Sequence, residues 1–215
     1  MGIRSATSYE APKRVDKLRA FNIILSLAVL IFAAPLMVCI AAVIWLQDGG
    51  PVFYGHVRIG QGGRRFHCLK FRSMVMNAEQ ALQSVLETDP VALAEWVKDH
   101  KLRNDPRITP IGHFLRRLSL DELPQLINVL RGDMELVGPR PIVESEIEKY
   151  GRYFQAYCSV RPGITGLWQI SGRNDVTYRQ RVALDVIYTQ QKTPMMDLYI
   201  LAATIPAVLM SKGSY

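Results

Sequence analysis

Two acids stand side by side in Ser119-Leu120-Asp121-Glu122-Leu123-Pro124-Gln125-Leu126, where a helical pattern begins that continues towards Leu130 and stops at Arg131-Gly132. Ser119 and Glu122 have the spacing of a capping box, the structural use of a carboxylate at this place. With Ser119 as the cap, Pro124 falls past the first turn and its missing N–H is felt; with Asp121 as the cap, Pro124 lies inside the first turn and is tolerated. In both registers the carboxylates sit at the positive end of a helix. That position favours their ionised forms, and it is also where free backbone N–H groups receive phosphate oxygens. Acid and phosphate repel unless a divalent cation lies between them, and Mg2+ is held by one or two carboxylates together with substrate phosphates. An aspartate so placed can also attack phosphorus and form an acyl phosphate. Asp121 and Glu122 are therefore candidate catalytic residues and candidate metal ligands.

Arginines gather in turn contexts around this pair: Arg116 five residues before Asp121, Arg140 in Gly138-Pro139-Arg140-Pro141, Arg161 in Arg161-Pro162-Gly163, and Arg173 in Ser171-Gly172-Arg173-Asn174. Guanidinium groups on loops stiffened by proline are good bidentate phosphate ligands. Lysine and arginine together outnumber acids 26 to 19, a net charge of +7 that favours anionic partners. The arginines are scattered through turns, and no motif interleaves aromatic with basic residues, so nucleic acid is not an expected partner. The three cysteines, Cys39, Cys68 and Cys158, lack Cys-x-x-Cys spacing, and the four histidines never fall at i, i+4. Neither a disulfide framework nor a zinc site is expected.

The elements that must position these residues begin with an uncharged run from Phe21 to Leu46, about 26 residues against the ~20 needed to cross a hydrocarbon layer. Basic residues flank it on both sides, Arg4 to Arg19 before and Arg58 to Arg72 after, and positive flanks prefer the cytoplasm. Pro35 near its middle marks where a bend would form. These features leave open a kinked helix that spans and a helix that enters, bends and returns. Pro51 to Met74 reads as a β-hairpin, Val52 to Ile59 and Phe66 to Phe71, turning at Gly60-Gln61-Gly62-Gly63. Amphipathic helical patterns follow at Asn77 to Glu87 and Val91 to His100. The apolar stretch Met195 to Met210, interrupted by Asp197 and Pro206, suits a helix at an interface or packed on the domain.

Lys70-Phe71-Arg72-Ser73-Met74, Ser119 to Leu126, Gly132-Asp133-Met134 leading to Val137-Gly138-Pro139-Arg140-Pro141, Arg161 to Gly166, and Ser171 to Asn174 resemble, in this order, the bacterial sugar transferases known as monotopic phosphoglycosyl transferases. The resemblance covers nearly the whole chain after about Leu18. It implies an α+β, mainly helical fold: a cytoplasmic tail (1–18), a re-entrant membrane helix bent near Pro35 (19–48), a catalytic domain with a β-hairpin and interfacial helices (49–194), and a C-terminal interfacial helix and tail (195–215). It implies transfer of a hexose 1-phosphate from a UDP-sugar to undecaprenyl phosphate, with release of UMP, at the cytoplasmic face of the bacterial inner membrane. Inner-membrane lipid is then a partner, and a homodimer is left open.

By the same matching, Asp121 is the nucleophile that forms a covalent phosphosugar intermediate, and Glu122 helps hold Mg2+. Arg116 and Arg140 contact phosphate, with Lys70, Arg72, Arg161 and Arg173 as further donors nearby, and Asp185 matches an acidic position of no assigned role. Two residues depart from the family pattern: Ala34 where a serine usually precedes the bend proline, and Asn22 where an acid is usual near the start of the membrane helix. The segment Tyr54-Gly55-His56 and the C-terminal end look like those of enzymes that start exopolysaccharide with galactose 1-phosphate; glucose 1-phosphate is the alternative. A basic, non-enzymatic membrane-bound module and a glycosyltransferase that would release UDP are the rival readings.

Overall fold

The uncharged run folds into a single helix, α1 (Arg14–Asp48), which continues through Pro35. The structure, a computed structural model, describes residues 14–99, 102, 104–172 and 176–209. Helix α1 is long and apolar enough to cross a membrane. At ~1.5 Å per residue it measures roughly 50 Å. Both of its halves nevertheless pack on the same domain. Leu25, Val29 and Leu30 join a cluster built on Leu126, Val129, Met134 and Leu136. Met37, Ile40, Ala41 and Ile44 join another with Phe71 and Leu115. Between and around these seams Ile24, Ile31, Phe32 and Val38 remain exposed.

Polar clamps fix both ends. Near the start, Arg19 donates to the Val129 and Leu130 carbonyls at the C-terminal end of a short helix, where a cation complements unsatisfied carbonyls. Asn22 is buried, accepts from the Leu136 N–H at 2.9 Å and donates to Leu18 O at 2.9 Å. At the other end Arg72, itself buried, pairs with Asp48 and reaches the Ile44 carbonyl. The Asn22 departure thus has a structural use: an amide supplies acceptor and donor at once without burying a charge.

After α1 comes the expected hairpin, β1 (Phe53–Ile59) and β2 (Arg65–Phe71), paired antiparallel with Ile59 opposite Arg65 and Phe53 opposite Phe71. Its turn needs positive φ at Gly62 and Gly63 (67° and 75°), which glycine adopts without strain. Helices α2 (Ala78–Thr88) and α3 (Pro90–Asp99) lie where the amphipathic patterns put them. Helix α4 (Pro110–Arg117) is capped by Thr109, whose hydroxyl accepts from Gly112 N. Then come α5 (Gln125–Arg131), β3 (Glu135–Val137), α6 (Ile147–Tyr150), α7 (Phe154–Cys158), β4 (Gly163–Thr165), α8 (Leu167–Ile170), α9 (Tyr178–Gln191) and α10 (Pro194–Leu209).

Strands β3 and β4 form a short parallel pair, a feature the sequence reading did not foresee. The mainly helical α+β class holds. Helix α10 packs one face on the domain, with Ile200 fully buried and Asp197 accepting from Tyr188 Oη at 2.7 Å, and leaves Met195, Leu198, Tyr199 and Ile205 exposed.

Removing the Asn22 amide strands a buried N–H. We expect Asn22→Ala to cost about 1–3 kcal/mol, from the unmade bond at Leu136, read as a lower thermal midpoint of the detergent-solubilised protein, with Asn22→Asp losing less because its carboxylate still accepts.

Candidate active site

The two carboxylates reach their place through an interrupted helix. A helix running from Ser119 would need a Pro124 N–H to bond the Leu120 carbonyl, and proline has none. The Leu123 N–H bonds that carbonyl instead, at 3.2 Å. Leu120–Glu122 are a single 3-10 turn, and α5 begins only at Gln125. The expected capping box is thereby corrected: Ser119 has φ 55° in the left-handed region and its side chain makes no capping bond. Ser119 has the one positive φ outside glycine among the described residues, and it turns the chain between α4 and the acidic pair.

Lys70, on the face of β2 that opposes Tyr54, places Nζ 2.6 Å from Glu122 Oε1 and 3.5 Å from Asp121 Oδ2. Arg140 Nη1 lies 3.7 Å from the same Glu122 oxygen. The Arg140 loop is fixed by a close crossing of two glycines. A Cβ on Gly138 would meet Arg161 O at 2.6 Å, and one on Gly163 would meet Gly138 N at 2.0 Å. Arg116 donates through Nε to Ser73 Oγ at 2.8 Å, and its charge faces Asp121. Gly112 permits this, since a Cβ there would stand 2.0 Å from Ser73 O.

Asp121 is only 6 % exposed. Burial pushes its pKa above the ordinary aspartate value; the Lys70 charge opposes that rise, Glu122 adds to it and Arg116 opposes it. Burial acts in the same direction on Glu122, but Lys70 and Arg140 outweigh it and hold that carboxyl down to about 2. Neighbouring acids pushed apart in this way can take separate roles, Glu122 as a permanent anion and Asp121 as the more basic oxygen.

The expected site residues divide. Asp121, Glu122, Lys70, Arg116 and Arg140 come together. Arg72 does not: its guanidinium is engaged with Asp48 at the end of α1. Arg161 is turned to Glu135, 3.4 Å away, which Lys192 also pairs. Arg173 lies outside the described residues. Asp185 is buried away from the pair, accepting from Tyr150 Oη at 2.7 Å, and burial raises its pKa to about 7. The sequence reading missed Arg58, Cys68 and Gln125, which line a small recess with Lys70, Glu122 and Arg140. Arg58 was legible in principle, because alternation along β1 puts it on the same face as Tyr54 and His56.

Asp121 and Glu122 converge on one cation, the Lys70 ammonium, and the described residues contain no group of three or more His, Cys, Asp or Glu side chains that could hold a metal. Two carboxylates fit Mg2+, which draws its other ligands from phosphate and water, and do not make a structural metal cage.

The profile of the family described as "Bacterial sugar transferase" matches residues 14–211. The chain belongs to that family and is a transferase of the phosphoglycosyl type, as its motifs imply. It is 50 % identical over 197 residues to the exopolysaccharide production protein ExoY of Sinorhizobium fredii, covering 92 % of this chain and 87 % of that one. It is 53 % identical over 200 residues to the undecaprenyl-phosphate galactose phosphotransferase of Salmonella typhimurium, covering 92 % of this chain and 41 % of that protein. It is 36 % identical over 225 residues to the UDP-glucose:undecaprenyl-phosphate glucose-1-phosphate transferase of Escherichia coli, covering 100 % of this chain and 45 % of the relative. The chain thus spans less than half the length of the latter two.

A left-handed non-glycine residue is strained by about 1–2 kcal/mol. Ser119→Gly should therefore leave stability unchanged or higher, and Ser119→Val should lower it by a similar amount, measured by thermal unfolding.

Proposed function

We propose that this protein transfers a hexose 1-phosphate, galactose 1-phosphate in the first instance, from a UDP-sugar to undecaprenyl phosphate and releases UMP, as a first membrane step of exopolysaccharide synthesis. The observation that carries this reading is the paired carboxylates, one buried and one held ionised, facing Lys70 with Arg140 and Arg116 around them. In the first step an Asp121 carboxylate oxygen bonds to the sugar-bearing phosphorus. The bond from that phosphorus to the oxygen bridging the two phosphates breaks, and UMP leaves with that oxygen. In the second step an oxygen of the lipid phosphate attacks the same phosphorus, which returns Asp121 as a carboxylate and leaves a polyprenyl diphosphate sugar.

Lys70 and Arg140 bind phosphate oxygens, while the Arg116 charge, with that of Lys70, favours the ionised form of Asp121 against its burial. Asp121 and Glu122 would hold Mg2+, which when bound neutralises phosphate charge that the two acids would otherwise repel. What supports a re-entrant α1 is that Leu25, Val29 and Leu30 from its first half and Met37, Ile40, Ala41 and Ile44 from its second pack on one domain, which halves on opposite sides of a bilayer could not do. With both flanks of α1 basic, that domain lies at the cytoplasmic face of the inner membrane.

The test incubates the purified protein with undecaprenyl phosphate and UDP-galactose or UDP-glucose and identifies the products. UMP with a lipid diphosphate sugar supports the reading, UDP rules it out, and the productive donor names the sugar. Asp121→Asn should abolish turnover at saturating substrate, since an amide is a poor nucleophile, and mass spectrometry of quenched, donor-loaded wild type should find phosphosugar on Asp121.

Attack needs ionised Asp121, so activity falls as pH drops through its raised pKa. The acid limb of kcat/KM should lie above the ~4 of an ordinary aspartate. Lys70→Gln removes the charge that most favours the ionised form and should move that limb to higher pH, as pH–rate profiles of the two proteins would show.

A further inference from the structure

Beside the catalytic recess lies a larger cleft of about 380 Å³ between β1 and the segment after Arg140, lined among others by Tyr54, Gly55, His56, Val57, Val143 and Ser145. Its floor is an edge of β1 that, among the described residues, is paired with the chain only at Ile59. The even residues of β1 face β2, as the Gly60 N–H bond to Arg64 O shows at the strand's end, while the Ile59 N–H points the other way to Ile142 O at 2.9 Å. By alternation, Gly55 and Val57 also direct N–H and C=O to the side away from β2. The bridge to Ile142 is the isolated one on that side of β1, so their backbone groups open towards the cleft.

The cleft joins the catalytic recess through a continuous line of side chains. Tyr54, His56 and Arg58 alternate onto one face of β1, with Lys70 opposite Tyr54 and Cys68 opposite His56. The Tyr54 and His56 rings lie 6.0 Å apart, and Arg58 Nη2 is 3.1 Å from His56 Nδ1. Arg58 in turn lines the recess with Lys70, Glu122 and Arg140. Moving outward from Glu122 across the hairpin, a ligand would meet Lys70 on β2 first, then the His56 imidazole and the exposed Tyr54 ring side by side on β1, then the open backbone edge.

That order matches a nucleoside diphosphate lying with its phosphates inward. Aromatic rings stack nucleobases without regard to sequence, at ~1–3 kcal/mol per base. A pyrimidine base of the uracil type offers a ring N–H next to a carbonyl, which an outward-facing residue meets with its own C=O and N–H, as a neighbouring strand would. We infer that the cleft between β1 and residues 142–146 is the nucleoside subsite of the donor, with the base on Tyr54 and read by the Val57 backbone, and with Arg58 and His56 steering the diphosphate to Lys70. This deepens the proposed function and rests on its nucleotide-sugar donor.

The test uses the full chain in phospholipid nanodiscs, with UDP-sugar as donor and UMP as inhibitor. Tyr54→Ala should raise the donor KM by about tenfold, the stacking contribution of one base, and weaken UMP inhibition equally, while kcat at saturating donor and the KM for undecaprenyl phosphate stay near wild type. Tyr54→Phe should restore both. Val57→Pro removes the outward N–H along with the valine side chain, a change tolerated on an edge strand, and should act like Tyr54→Ala. In the unaltered protein, UMP should slow amide exchange across 53–59 and 142–146. Unchanged donor KM and UMP inhibition in folded variants, a rise in the acceptor KM instead, or UMP protection confined to other segments would overturn the subsite. If Asp121→Asn is dead while Tyr54→Ala keeps its nucleotide affinity, the subsite falls and the transferase stands; if Asp121→Asn turns over normally, the transferase reading itself fails.

Discussion

Two carboxylates on adjacent residues, one of them buried, repel each other and lose hydration together. The Lys70 ammonium, 2.6 Å from Glu122 and 3.5 Å from Asp121, makes their coexistence affordable. In a medium of reduced dielectric, a cation at that distance favours the ionised forms by several kcal/mol, of the same order as the cost of burying one charge. The geometry around the pair follows from this need. β2 must bring Lys70 over the 3-10 turn, so β2 packs against the turn and against α5, with Leu69 N–H donating to Asn128 Oδ1 and Asn128 Nδ2 donating to His67 O. Asn128 is fully buried and holds the hairpin on the helix at the very strand that carries the lysine.

The backbone solves the remaining placements by close approach. Gly138 and Gly163 touch where β3 passes β4, and the loop that leaves this crossing presents Arg140 to Glu122. Gly112 lets α4 lie on the chain at Ser73, and Ser73 holds Arg116 beside Asp121. Side-chain volume at any of these glycines would push an arginine away from the acids. The Arg140 loop and the last turn of α4 therefore present their cations from nearly fixed positions, which would lower the entropic cost of binding an anion.

Much of this was legible in the residues. The hairpin, its glycine turn, the amphipathic helices and the long apolar helix each carry a local signal of period or composition, and each stands where that signal put it. The acidic pair was legible as adjacent carboxylates at the start of a helical pattern, and the roles expected of Asp121 and Glu122 came with the family resemblance. Long-range placement was not. Arg72 and Arg161 sit in motifs as basic as those of Arg116 and Arg140, but the fold gives them to Asp48 and Glu135. Three-residue strands such as β3 and β4 have no period to detect; they exist because two glycines meet. Ser119 carried the composition of a cap and became a strained turn, because Pro124 denied the backbone bond that a cap there would have started.

The same economy links the long helix to the chemistry. Leu123 follows Glu122 directly, and it packs both on the cluster that receives Leu25, Val29 and Leu30 and on the cluster that receives Met37, Ile40 and Ala41. The turn carrying the acids is thus seated on both halves of α1, while Arg19 and Arg72 tie the two ends of that helix to the domain. A lipid phosphate cannot travel far from its headgroup layer, because drawing its chain into water exposes apolar surface at ~25 cal/mol per Å2. An enzyme that resolves a phosphosugar with such an acceptor must hold its nucleophile at that layer. Seating the acid-bearing turn directly on the apolar helix would set that depth by packing, so that the proposed chemistry and the apolar helix depend on one and the same hydrophobic contact.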